Sequence, residues 1–101
     1  MKYEEFILSV AEKKPPLELN RYLTILWYDS KGKWDIAHNL AQAIYNRDGS
    51  LLHAYLHRKE GDMTNAAYWY SNADQEMPNL SIQKEWENLV KKYLNYKKKD
   101  M

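Results

Sequence analysis

Apolar residues recur along this chain at helical spacing, in short segments separated by proline, glycine and capping residues. Phe6, Ile7 and Val10 share one side of a first predicted helix over residues 3–13, which Pro15 and Pro16 stop because a proline ring cannot continue the hydrogen-bond ladder. Leu19, Tyr22, Leu23, Leu26 and Trp27 mark a second, from Pro16 or Leu17 to Ser30, broken at Gly32. Ala37, Leu40, Ala41 and Ile44 stripe a third from Trp34 to about Tyr45. Asp48-Gly49 reads as a turn and Ser50 as the N-cap of a fourth helix, Leu51 to Glu60, ending at Gly61. Asp62 caps a fifth over Met63 to Ala73, short of Pro78. Ser81 caps a last one over 82–96 with Trp86, Leu89, Val90, Tyr93 and Leu94 on one face. No useful strand-like alternation occurs. With short loops, consecutive helices are expected to be antiparallel neighbours in one all-α domain of five or six helices spanning 1–101.

Two of these segments share a frame. Tyr28-x3-Gly32-x4-Ala37-x3-Ala41-x2-Ile44 is followed by His57-x3-Gly61-x4-Ala66-x3-Tyr70-x2-Ala73-x4-Pro78. The glycine allows a tight reversal, and the alanine after it lets the second helix approach the first closely. This spacing resembles the tetratricopeptide repeat, with a first hairpin at 17–46, a second at 51–76 and a capping helix at 82–96. The period, from Gly32 to Gly61, is shorter than the family's usual ~34 residues. Ile25 stands where the second unit has the small Ala54, and Thr24 and His53 stand where the family has leucine. The run from His53 to Asp62, with Asn65-Ala66-x-Tyr68-Trp69-Tyr70, also resembles a small family of bacterial proteins that carries no activity over to this chain.

The tetratricopeptide resemblance implies a concave groove lined by the first helix of each hairpin. It assigns Tyr55, Arg58 and Lys59 of the second unit to that groove, with Leu26, Asp29 and Ser30 of the first and Tyr22 one turn back. Such a groove suits a peptide or a small anionic ligand, with Arg58 taking a carboxylate or phosphate. The plainer expectation for Arg58 is a surface pair with Glu60 or Asp62, worth little. A non-enzymatic protein or peptide interaction module is therefore the first functional expectation, and it requires Arg58 to be free.

Histidine spacing raises a second one. His53, His57 and Glu60 fall on one helical face, and His38 can join them from the third helix. Such a set suits a small-ligand pocket or a metal site: two histidines one turn apart can chelate zinc or nickel, with a carboxylate completing the set. Helix packing, with each imidazole hydrogen-bonded to a neighbour, is the simpler expectation for His53 and His57. Among the aromatics, Tyr70 is expected in the core, one of Tyr68 and Trp69 at the surface, and Trp34 back against Tyr28.

Composition narrows the classes further. The 101 residues carry 15 basic and 14 acidic side chains, a net charge of +1, which argues against a nucleic-acid partner. The lysines at 91, 92 and 97–99 read as a solvated helix end. The absence of cysteine removes disulfides, thiolate metal sites and cysteine nucleophiles. No phosphate loop, dinucleotide fingerprint or HExxH motif is present, so neither catalysis nor a cofactor is expected. The run from Phe6 to Ala11 is too short for a leader or a membrane span, and a cytoplasmic location is expected. A homodimer through the apolar face of the last helix is the third functional expectation.

Overall fold

The computed structural model describes residues 1–96 and is all-helical over that range. Its six helices are α1 (Tyr3–Ser9), α2 (Arg21–Ser30), α3 (Trp34–Gln42), α4 (Arg47–Glu60), α5 (Met63–Asn72) and α6 (Ile82–Leu94). The lysines at 97–99 lie outside the described residues. α2 pairs with α3 and α4 with α5, while α3 packs on α4 and joins the two hairpins.

Capping residues explain most of the boundaries. The Asp62 and Ser81 side chains accept from the amides of Asn65 and Lys84, as their positions predicted. Gly32 and Gly61 take the left-handed conformation at φ of 75° and 91°, and each reverses the chain within a hairpin. Behind Gly61 the Asp62 amide returns to the His57 carbonyl at 2.9 Å.

Two starts differ from expectation, and in both an asparagine is responsible. α2 begins at Arg21 because Asn20 caps it, accepting from the Leu23 amide at 2.9 Å; Leu17 projects fully into solvent ahead of it. α4 begins at Arg47, four residues early, because Asn46 accepts from the Gly49 amide at 2.8 Å. Asp48 and Gly49 are thus helical, and Ser50 is not a cap. Gly49 is required by a close approach instead: a Cβ there would collide with the Ile44 carbonyl. α1 and α3 stop short of their predicted ends at Ser9 and Gln42, which leaves Tyr45 exposed in the turn before α4.

The largest correction concerns the last helix. Expected as a cap on the end of the stack, α6 instead lies across α2 and α4. Its stripe of Trp86, Leu89, Val90 and Tyr93 is buried there. The Trp86 indole donates to the Leu26 carbonyl, and the Tyr93 ring lies 4.8 Å from that of Tyr22. Burying four large side chains stabilises α6 in this position by several kcal/mol, about 1.5–3 for each. α1 leans on α6 in turn, with Phe6 fully buried against Trp86. The face of α2 and α4 from which a groove was expected is therefore largely covered by the chain's own helix.

Candidate metal centre

The seam between α3 and α4 brings all three histidines together. Ala37 and Ala41 are buried small residues that let α3 approach closely, and His38 follows Ala37 at the seam. His53 and His57 stand one turn apart on α4. One ring nitrogen from each of the three lies within 4.8 Å of the others. The Nε2 atoms of His38 and His53 are 2.9 Å apart. At that distance one ring donates an N–H and the other accepts, so at least one of the pair is neutral.

Burial sets their protonation. His53, 4% exposed, has its pKa pushed down to about 4, first by burial and then by the neighbouring His38 and His57 rings. His38 is shifted down as well, again mainly by burial. Both imidazoles are consequently neutral near pH 7 and retain lone pairs. His57 is anchored differently: its Nδ1 lies 2.6 Å from Oε2 of Glu60, one turn further along α4. Given to Glu60, Nδ1 leaves Nε2 as the ring nitrogen free for another partner.

Aromatic side chains hold these rings in place. Trp34 stacks on His38 at 4.7 Å between centroids, and its indole donates to the Leu56 carbonyl at 2.9 Å. Trp69 of α5 stacks on the other side, 4.0 Å from His53. Trp34 thus turns to the histidines, whereas Tyr28, its expected neighbour, sets its ring on Trp27. Of the adjacent pair on α5, Tyr68 is the exposed one. Glu60 sits beside the triad as a partner of His57, and not as a fourth group gathered equally with the three rings. A second gathering, His57, Glu60 and Asp62, overlaps the first, but both Asp62 oxygens are occupied by the amide and side chain of Asn65.

The residues expected in a groove form buried networks. Arg58 does not meet Glu60 or Asp62. Its Nη1 donates to Glu85 of α6 at 2.7 Å and its Nη2 to the Leu80 carbonyl, and only 11% of the side chain is exposed. The second Glu85 oxygen accepts from the Tyr70 hydroxyl at 2.6 Å. Tyr55 is buried and donates to Asp29 at 2.7 Å, and Lys59 donates to the other Asp29 oxygen at 2.8 Å. Burial and the Asp29 charge push the Tyr55 hydroxyl pKa far up. Tyr22 is buried and accepts from Asn46 and Arg21. Of the expected set, Asp29, Ser30, Tyr55 and Lys59 still line a cleft of about 370 Å³, floored by Ile7, Ile82 and Trp86.

Glu85 is the partner that the sequence pattern did not single out. Its signal was an acidic residue beside Trp86, inside the apolar stripe of an otherwise amphipathic helix. A carboxylate on such a face is buried only with a cation or a donor to satisfy it.

Comparison with known proteins places no relative beside this arrangement: no family model, curated protein or solved structure matches the chain. Fold and site define only a class, a small all-helical stack with a tri-histidine seam. Among the described residues, no helix is long and apolar enough to cross a membrane.

Proposed function

We propose that this protein is a non-enzymatic metal-binding protein that holds one divalent transition-metal ion between α3 and α4 through His38, His53 and His57. The observation that carries the reading is the convergence of one nitrogen from each of three imidazoles, on two helices, to within 4.8 Å of one another. Metal–imidazole bonds of about 2.0–2.1 Å set two ligands of a tetrahedral site roughly 3.3 Å apart. The His38 and His53 Nε2 atoms, at 2.9 Å, need to separate by only a few tenths of an ångström.

Neutral imidazoles suit zinc, nickel and copper, and do not suit magnesium or calcium. Because burial already keeps His53 and His38 unprotonated near neutral pH, little proton release opposes binding. Glu60 takes the outer role: by accepting from Nδ1 of His57 it orients the ring and raises the basicity of Nε2. A bound ion would tie the first hairpin to the second.

Calorimetry on chelator-stripped protein tests this. Zinc and nickel are expected to bind at one equivalent, magnesium and calcium not at all, and His38→Ala is expected to abolish binding while leaving the helical circular dichroism intact. Absence of saturable binding by zinc, nickel or copper would overturn the proposal.

The Arg58 groove fails because Arg58 is paired and buried, so a second reading keeps a protein or peptide partner only at the cleft between α1 and α6. It is supported by the half-exposed Lys59 ammonium above the apolar floor of Ile7, Ile82 and Trp86. Lys59→Glu should then remove partners captured by the wild type. If Lys59→Glu and wild type retain the same set, the cleft is not a docking surface.

A further inference from the structure

We infer that the metal held at the triad keeps one coordination position for an exogenous small anion. This rests on the metal-binding reading above and adds the ligand class that the site takes.

The argument begins with the donors at hand. Three ring nitrogens gather, and among the described residues no fourth histidine or carboxylate gathers with all of them. The chain has no cysteine to supply a thiolate. The two carboxylates near His57 are engaged elsewhere. Glu60 holds Nδ1 of His57 at 2.6 Å, and recruiting it to the metal would release the ring that it orients. Asp62 caps α5 through one oxygen on the Asn65 amide and binds the Asn65 side chain through the other.

The two tryptophan walls supply no donor. Trp34 and Trp69 stack on His38 and His53 and present ring faces, which carry no lone pair for a metal. The Trp34 indole N–H is spent on the Leu56 carbonyl. A four-coordinate ion bound by these three rings is thus one ligand short from the protein, the arrangement in which zinc retains an exchangeable position.

Charge selects what fills it. Imidazole ligands bring no charge of their own to the ion, and the carboxylates that act on His38 from beside the cluster, Glu60 and Asp35, are both exposed, so water weakens their hold on the ion. A divalent centre in a half-buried, aromatic-walled seam favours an anion over a neutral donor. With three rings on a four-coordinate ion, one position remains, which suits a small, monodentate anion. His38 is only partly buried, so the approach runs from its side of the seam.

Cobalt(II) substitution reads both levels separately. The stripped protein is loaded with one equivalent of cobalt(II) and its visible d–d bands are recorded. Sodium azide is then titrated in at constant ionic strength, with perchlorate as the non-coordinating control. The expected result is a set of tetrahedral cobalt bands that shift saturably with azide, at one azide per metal, and do not shift with perchlorate. Cobalt bands that stay unchanged through the azide titration would overturn this inference and leave metal binding standing. Failure of cobalt to give any protein-bound spectrum would overturn both. Glu60→Gln supplies the remaining arm: if azide shifts the bands only in this variant, Glu60 is the fourth ligand and the inference fails.

Discussion

Arg58 on α4 and Glu85 on α6 form a buried ion pair at 2.7 Å, and Tyr70 from α5 completes it by donating to the second carboxylate oxygen. Three helices meet in this network, and α6 covers the face of α4 through it. Losing one partner leaves the other charge buried and unpaired, the costly case for an internal salt bridge. Arg58→Ala is expected to destabilise the fold by about 3–5 kcal/mol in urea unfolding. Replacing both residues with apolar ones, Arg58→Met with Glu85→Leu, should recover much of that loss. A single-variant cost below about 1 kcal/mol would show that the pair does not hold α6.

His53 makes stability depend on pH. Its folded-state pKa is pushed from 6.5 down to about 4, so the unfolded chain binds the extra proton first as pH falls. Stability should therefore be level above the unfolded value of 6.5 and decline between 6.5 and about 4. The loss is about 3 kcal/mol across the window, at about 1.4 kcal/mol for each pH unit. His38, shifted in the same direction, adds to it. Thermal unfolding of metal-free protein across this range checks the slope, and His53→Asn should flatten it.

The start of α4 separates two accounts of the same sequence. With Asn46 as the cap, Asn46→Ala should cost about 1 kcal/mol and Ser50→Ala close to nothing. Gly49→Ala should cost more, about 1–3 kcal/mol, because the added methyl meets the backbone of Ile44. Denaturant midpoints that rank Ser50→Ala as the most harmful of the three would contradict the observed start.

Asp74 offers a gain. It takes the left-handed conformation at φ 59° just after α5, which a side chain with a Cβ adopts at a cost. Its ion pair with Arg47, at 3.9 Å, is exposed and worth little. Asp74→Gly is expected to raise stability by roughly 0.5–1 kcal/mol, read as a higher unfolding midpoint.

Local signals carried the helices well where each was self-contained. Gly32, Gly61, Asp62 and Ser81 end or begin helices through their own backbone or side chain, so residue type alone revealed them. The Asp48-Gly49 pair misled because a glycine serves a turn and a close approach equally well, and only the position of Ile44 distinguishes the two. At the site, four-residue spacing placed His53 and His57 on one face of one helix. His38 could be named as a candidate, but its distance from them depends on how α3 lies against α4.

Periodicity by itself determined that this chain is helical, roughly where its helices lie and which faces are apolar, because those properties arise within a few residues of backbone. Tertiary structure alone decided what the apolar and charged faces meet. Trp86 and Tyr93 require only apolar cover, and the surface that supplied it was α2 and α4, not the end of the stack. Once α6 lay there, Arg58 found Glu85 across 27 residues of sequence, and a residue suited to hold a ligand became part of the core. Hydrophobic burial has no directional preference, so a stripe of apolar residues specifies that a helix is covered and leaves the choice of cover to the packing of the whole chain.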